Sequence, residues 1–275
     1  MNKKIETWLI FIFLTLFTLI TLYPIAYIVS ISFRTDNAFQ TQTLSLFDKD
    51  SSLETYFSLF LETNFLLWTM NSLIIAIVVT IIGVTLASTS AYALSRFKFK
   101  GRKFSMIALI TTQMFPATML LLPFFILLSK LSLINSFIGL MIIYSSTALP
   151  FCIWQMKGFY DTIPISIEES ARLDGCNQFE VFYKIIIPLS KPAIVITALF
   201  SFMSSWSEYV VAAIILLDPE LYTLPLGLKS FQSSLATEWG LYAAGAVVIS
   251  IPVIILFISL SKYLISGLTL GSVKG

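Results

Sequence analysis

Residues 63–95 read TNFLLWTMNSLIIAIVVTIIGVTLASTSAYALS, 33 consecutive positions without Asp, Glu, Lys or Arg. A helix crosses the hydrocarbon core of a bilayer with about 20 apolar residues, so this stretch is long enough to span a membrane. Only 12% of the 275 residues are charged, about half the share of a soluble domain. The sequence around this stretch must therefore also face lipid rather than water.

Five further stretches predict more spans, one of which must tolerate Glu208 in its interior. We therefore predict an all-α fold: a single membrane domain, 1–275, that is a polytopic bundle of about six transmembrane helices. Lys3 and Lys4 precede the first span as in a signal peptide, but its apolar run is too long and no cleavage site follows. The predicted spans are 8–32, 66–95, 104–128, 134–156, 193–217 and 240–262.

The basic residues orient the predicted bundle. If the N-terminus is cytoplasmic, most of the 17 Lys and Arg residues fall in cytoplasmic segments, as the positive-inside rule requires. These residues are Lys3, Lys4, Arg96, Lys98, Lys100, Arg102, Lys103, Lys157, Arg172, Lys184, Lys191, Lys262 and Lys274. The basic loop 96–103 therefore marks topology rather than nucleic-acid binding, and both termini are predicted to be cytoplasmic.

The cytoplasmic loop after the fourth predicted span is unusually long and has the pattern of a helical hairpin. Ser166 and Glu169 have capping-box spacing, as do Asn177 and Glu180. Gly175 lies where a helix end favours glycine. A second helix is predicted to have one apolar face, formed by Phe179, Phe182, Tyr183 and Ile186, and to end at Pro188. From the pattern alone, the segment 161–190 either docks another protein or packs under its own bundle.

The hairpin residues resemble the "EAA" signature of permease subunits in binding-protein-dependent ABC importers. That signature is Glu-Ala-Ala, three residues, Gly, nine residues, and Ile-x-Leu-Pro, with Ser170 and Ile187 as the two departures here. The resemblance implies that the hairpin is a coupling element that docks on an ATPase. The implied docking residues are Glu169, Ser170, Ala171, Asp174, Gly175, Ile185 and Pro188.

Other segments are similar to the carbohydrate-uptake branch of these permeases, and the tail Gly267–Gly275 is typical of its maltose-type second subunit. The similar segments include 71–73, 91–97, 149–151 and 223–225, whereas 34–62 matches no recognised pattern. The family's Trp-Asn-Glu/Asp-Phe stands here as Trp-Ser-Glu-Tyr at 206–209, and Ser207 bears on substrate choice. A permease for glycerol-3-phosphate or another polyol stays open as an alternative.

The resemblance implies a sugar importer with several subunits. Its partners would be a second permease in a heterodimer, two ATPases and an extracytoplasmic sugar-binding protein, in a bacterial cytoplasmic (inner) membrane. The chain has no Gly-x-x-x-x-Gly-Lys-Ser/Thr motif, so ATP and Mg would be bound by the ATPase. With no histidine and two cysteines, neither catalytic residues nor a metal site nor a cofactor are predicted in this chain.

Five residues are candidates for the translocation path. Glu208 is the ionisable residue within a predicted span, and such a residue usually faces protein or water. It either contacts substrate or holds a neighbouring helix by a hydrogen bond. Aromatic faces suit sugar rings, and on a continuous helix Trp206 and Tyr209 share a side that Glu208 does not. The candidates are Trp206, Glu208, Tyr209, Asn71 and Gln113. Rival classes are a secondary transporter, which needs more charged groups in its spans and inverted repeats, and a membrane scaffold.

Overall fold

The computed structural model describes residues 3–34, 51–232 and 237–270. Every regular element in these ranges is helical, which confirms the predicted all-α class. The last residues of the tail motif, 271–275, and most of the unrecognised segment, 35–50, lie outside the described residues. The helices are α1 (Lys3–Ser32), α2 (Glu54–Leu61), α3 (Phe65–Arg96), α4 (Arg102–Thr112), α5 (Leu121–Lys130), α6 (Phe137–Thr162), α7 (Ile165–Leu173), α8 (Gln178–Leu189), α9 (Lys191–Trp206), α10 (Val210–Ile215), α11 (Leu224–Ser230) and α12 (Trp239–Leu270).

Four of the described helices, α1, α3, α6 and α12, are each long and apolar enough to cross a membrane. The pair α8 and α9 qualifies as a fifth only when taken together, and its two members are bent by 78°. The predicted number of about six is matched when the third predicted span, broken into α4 and α5, and the fifth, broken into α9 and α10, are each counted as one.

The third predicted span, 104–128, is not the continuous helix that we expected. Helix α4 ends at Thr112, and α5 begins at Leu121 after a short 3-10 turn, Ala117–Leu120. Pro116 lies in the break and has no backbone N–H to donate to a preceding turn, so an unbroken helix would lose a hydrogen bond there.

The fifth predicted span, 193–217, is also broken. Helix α9 ends at Trp206 and α10 begins at Val210, with Ser207, Glu208 and Tyr209 between them. The fourth predicted span is instead longer than expected. Helix α6 begins at Phe137, where the Ser136 hydroxyl accepts from the Gly139 amide, and continues to Thr162.

The chain divides by its internal contacts into two units, Met1–Leu67 with Gly227–Pro252, and Trp68–Leu226 with Val253–Gly275. In the first unit, the end of α1 is held to α2 by the Ser32 and Tyr56 hydroxyl groups, 2.8 Å apart, and by the Thr55 hydroxyl, which donates to the Arg34 carbonyl.

The second unit contains two buried apolar clusters that lie towards opposite ends of α3 and α6. One cluster includes Ile75, Leu140 and Ile215 and joins these helices to α5 and α10. The other includes Met156 and Ile186 and joins α3 and α6 to α7, α8 and α9. The second cluster therefore fixes the hairpin of α7 and α8 beneath the membrane helices.

The two glycines of α6 test this packing in one helix. A Cβ at Gly139 would lie 2.3 Å from the Leu133 carbonyl oxygen, whereas a Cβ at Gly158 would have nothing within 4 Å. We expect Gly139→Ala to lower the free energy of unfolding by about 1–3 kcal/mol through overpacking. Gly158→Ala should raise it by about 0.5–1 kcal/mol, because alanine favours a helix interior. Thermal unfolding in detergent, followed by tryptophan fluorescence, measures both changes, and equal effects would refute the packing at Gly139.

Candidate functional site

The hairpin turns at Gly175, which has a φ of +91°. The Gly175 amide donates to the Arg172 carbonyl and the Cys176 amide donates to the Ala171 carbonyl, both at 3.0 Å. This pair of hydrogen bonds is the Schellman motif, in which glycine is favoured because it adopts a positive φ without steric cost. The predicted helix end at Gly175 is thus confirmed.

One of the two predicted capping boxes forms. The Asn177 Oδ1 accepts from the Phe179 and Glu180 amides, both at 3.0 Å, and the Glu180 carboxylate accepts from the Asn177 amide at 2.9 Å. The predicted box of Ser166 and Glu169 is wrong. Helix α7 begins at Ile165, so Ser166 lies within it, and the N-cap residue is Pro164, which makes no side-chain cap.

The outer side of α8 carries an ion pair between Glu180 and Lys184, which lie about one helical turn apart. The Lys184 ammonium donates to Glu180 at 2.7 Å. This hydrogen bond, together with the Asn177 amide, lowers the pKa of the Glu180 carboxyl, and the carboxylate in turn raises the pKa of Lys184. The pair is exposed to solvent, so its contribution to stability is small.

The predicted apolar face of α8 is only half correct. Phe182 and Ile186 are buried against the bundle, but Phe179 and Tyr183 are 79% and 66% exposed. Residues Val181–Ile186 form a π-helix, whose i→i+5 hydrogen bonds change the angular spacing of side chains from that of an α-helix. The aromatic residues are therefore divided between an inner and an outer side.

A buried ion pair anchors the hairpin to the end of α3. Glu168, on α7, is 1% exposed and forms a short ion pair with the Arg96 guanidinium. The Tyr92 hydroxyl donates to the other Glu168 oxygen at 2.8 Å, and Arg96 also donates to the Ile163 carbonyl at 2.9 Å. The carboxylate thus has partners on both oxygens, which a buried charge requires.

Helix α8 is attached to the same point. The Gln178 amide nitrogen donates to the Tyr92 hydroxyl at 2.6 Å, and the Tyr92 and Phe182 rings lie 4.8 Å apart. Both hairpin helices are therefore connected to α3 through Tyr92, while Arg96 connects α7 alone.

Glu208 orders the break between α9 and α10. Its carboxylate accepts from the Tyr144 hydroxyl at 2.6 Å and from the Val211 and Ala212 amides at 2.9 and 3.2 Å. It therefore caps α10 and links it to α6. Trp206 is buried at the end of α9, with its ring stacked 5.5 Å from that of Phe202. The expected arrangement of Trp206, Glu208 and Tyr209 on a continuous helix does not hold, because no helix joins them.

The two weaker path candidates lie elsewhere. The buried Asn71 amide donates to the Glu220 and Tyr222 carbonyls at 2.9 and 3.0 Å, and so fixes the loop before α11. Gln113 is exposed at the end of α4 and donates to the Thr147 carbonyl at 3.2 Å. In the described part of the chain no hydrogen bond joins Glu208, Asn71 or Gln113 to another of the three.

Comparison with known proteins decides the family. The family described as "Binding-protein-dependent transport system inner membrane component" matches residues 83–269. The chain belongs to this family. The resemblance carried by the hairpin is thereby confirmed, and the chain is a permease component of an ABC importer.

Named relatives of this permease are similar over nearly its full length. It is 37% identical to the maltodextrin transport system permease protein MdxG of Bacillus subtilis (strain 168), over 100% of this chain and 98% of that protein. It is 36% identical to the galactooligosaccharides transport system permease protein GanQ of the same organism, over 96% and 94% of the two chains. The crystal structure of a bacterial ABC transporter involved in the import of the acidic polysaccharide alginate contains a chain with 27% identity and a TM-score of 0.82, with 95% of this permease and 97% of that chain covered.

Most of the predicted docking residues of the permease face outward. Glu169, Ser170, Asp174, Gly175 and Pro188 are exposed, and Ile185 is half-buried. Ala171 is buried and faces the bundle.

Sequence reasoning missed three residues that hold the permease's hairpin in place: Tyr92, Arg96 and Glu168. Arg96 was interpreted as part of the topology signal and, with Tyr92, of the similar segment 91–97, but no partner was predicted for it. One local signal was available, since Glu168 precedes Ala171 by three residues and Arg172 by four, and so shares a helix face with the small residue that points inward.

The ion pair of Arg96 and Glu168 can be tested by removing one partner and then both. We expect Glu168→Leu alone to lower the free energy of unfolding by about 3–5 kcal/mol, because it leaves a buried guanidinium without its carboxylate. The double variant Arg96→Met with Glu168→Leu should recover most of this loss. Thermal unfolding in detergent measures both, with Glu169→Leu as the exposed control. A single variant as stable as the control would contradict a buried ion pair.

Proposed function

We propose that this permease forms one half of the translocation path of an ATP-driven oligosaccharide importer, and that its hairpin docks on a separate ATPase. The observation that carries the proposal is the two-sided hairpin. Its inner side is fixed to α3 and its outer side exposes large apolar side chains to solvent.

The proposed docking surface consists of the exposed apolar residues Leu173, Phe179 and Tyr183 together with Glu169 and Asp174. Leu173 is 89% exposed and lies at the tip, next to the turn at Gly175. Clustered apolar side chains on a solvent-exposed hairpin favour binding of a protein partner, because an interface would remove their apolar area from water. The exposed docking candidates Ser170, Gly175 and Pro188 leave room for a close approach.

We assign the energy source to the partner. The 275 residues contain no P-loop motif that could bind the phosphates of a nucleotide. ATP and Mg therefore belong to the ATPase, whose closure would displace the hairpin. Because Tyr92, Arg96 and Glu168 join the hairpin to α3, that displacement would reach the membrane helices through α3.

The proposed assembly is a heterodimer with a second permease, two ATPases and an extracytoplasmic sugar-binding protein. The positive-inside distribution supports a cytoplasmic hairpin and two cytoplasmic termini in the inner membrane. In this proposal residues 1–275 act as a single transmembrane domain of the assembly, although their internal contacts divide them into two units.

The proposed substrate is a maltodextrin-like oligosaccharide. Two relatives, at 37% and 31% identity, are named as permeases of maltodextrin transport systems. A third, at 36% identity, is named as a permease of a galactooligosaccharides transport system. Among the path candidates, Gln113 is exposed and both Glu208 and Tyr209 are half-buried. Because the Glu208 carboxylate already accepts three hydrogen bonds, Tyr209 and Gln113 are the proposed contacts with a sugar. Trp206, Glu208 and Asn71 would support the path by fixing the helix break and the loop before α11.

Docking predicts a selective effect of charge at the hairpin tip. Leu173→Asp should greatly reduce co-purification of the ATPase from native membranes, because the aspartate would be desolvated in the interface. Leu217→Asp, also at an exposed leucine but outside the hairpin, is the matched control. Mass spectrometry of the purified complex measures the ATPase. Equal recovery of the ATPase with both variants would refute docking through the hairpin tip.

The substrate proposal predicts which uptake depends on the permease. Cells that lack it should lose uptake of radiolabelled maltotriose and keep uptake of glycerol-3-phosphate. Loss of glycerol-3-phosphate uptake with intact maltotriose uptake would instead favour the polyol permease. Re-expression of the permease in the same cells is the control.

A further inference from the structure

An open cavity of about 960 Å³ lies between the beginning of α4 and the end of α6. Its basic side chains are Arg102, Lys103 and Lys157, and its apolar side chains include Phe99, Phe104 and Ile107. None of these residues belongs to the hairpin or to the path candidates. The cavity therefore combines positive charge with an apolar wall at the end of two membrane helices.

The basic side chains at and beside this cavity outnumber the carboxylates that interact with them. The segment 97–104 contains Lys98, Lys100, Arg102 and Lys103 and no acidic residue. Arg102 donates to the Ser95 carbonyl at 3.3 Å and interacts electrostatically with Asp161, whereas in the described residues no carboxylate forms an ion pair with Lys98, Lys100 or Lys103. Lys157 differs, because it pairs with Asp161 at 2.5 Å. A ligand with negative charge would thus supply what the protein does not.

The charge also lies at an unfavourable end of a helix. Arg102 and Lys103 occupy the first turn of α4, which has no acidic residue, and the N-cap residue Gly101 has no side chain to accept from its amides. Cations are unfavourable beside the positive end of a helix dipole. An anion in the cavity would relieve this repulsion.

The apolar wall indicates a lipid rather than a free anion. Phe104 and Ile107 are 75% and 53% exposed and lie three residues apart, on one side of α4. A soluble phosphate would make no contact with this wall, whereas an acyl chain would pack along it. Basic clusters at the cytoplasmic end of membrane helices attract anionic lipids, and the positive-inside orientation places this cavity at that leaflet.

We propose that the cavity between α4 and α6 binds an anionic phospholipid, with its phosphate at Arg102 and Lys103 and an acyl chain along Phe104 and Ile107. The lipid would fill the boundary beside Lys157 and hold the beginning of α4 against α6. This site requires that the chain lies in a membrane and does not depend on the proposed substrate or docking.

Native mass spectrometry of the full chain in detergent can test the site with two lipids of identical acyl chains, phosphatidylglycerol and phosphatidylcholine. We expect phosphatidylglycerol to bind more tightly. Lys103→Gln should weaken phosphatidylglycerol binding about fivefold, as loss of one basic group near an anionic lipid predicts, and should leave phosphatidylcholine binding unchanged. The control Lys130→Gln removes an exposed lysine at the end of α5 and should change neither affinity.

Three results would overturn the proposal. Equal affinity for the two lipids would remove the role of charge, and an equal effect of Lys103→Gln and Lys130→Gln would remove the role of the cavity. Displacement of phosphatidylglycerol by inorganic phosphate or by the purified ATPase would assign the site to a soluble anion or to a protein partner. Unchanged phosphatidylcholine binding by Lys103→Gln also shows that this variant is folded.

Discussion

The buried ion pair between Arg96 and Glu168 is the constraint on which the hairpin depends. A charge in an apolar environment is costly unless it is paired and hydrogen-bonded. The Tyr92 hydroxyl and the Arg172 guanidinium also contact the Glu168 carboxylate. Helix α7 is therefore held in the one position in which this carboxylate keeps all of its partners. Phe182 and Ile186 then bury α8 on the same side. The outer surface of the hairpin does not contact the bundle and exposes Leu173, Phe179 and Tyr183, which suit a protein partner.

Two of the predicted membrane spans are broken into shorter helices that can differ in direction. Pro116 separates α4 from α5, and Glu208 caps α10 where α9 ends. The chain also bends by 78° between α8 and α9. Broken helices within a membrane require partners for the freed backbone groups, and the Glu208 carboxylate provides them at one break. Such points let neighbouring rigid helices differ in direction without a long loop.

The features predicted correctly from sequence are local ones. The turn at Gly175 and the box of Asn177 and Glu180 each depend on residues within a few positions of one another. The role of Glu168 was missed because its partner Arg96 is 72 residues away, and no spacing rule connects them. The exposure of Phe179 and Tyr183 was missed because the spacing rule assumes i→i+4 hydrogen bonds, which the π-helix replaces. The break at Glu208 was missed because the apolar residues on both sides favour one helix, whereas the carboxylate accepts from the amides that follow it.

Because the buried ion pair joins α7 to α3, we expect the hairpin and α3 to move as one body when the ATPase acts. Spin labels at the exposed residues Ser166 of α7 and Thr89 of α3, which lie outside the proposed docking surface, would report the distance between the hairpin and α3 by double electron–electron resonance, on a chain with Cys152→Ala and Cys176→Ser that is assembled with its ATPase. We expect the same distance distribution with and without ATP, and a broadened one when Glu168→Leu is added. A clear shift of the distance on ATP binding in the otherwise unchanged chain would contradict this expectation, because the hairpin would then move independently of α3.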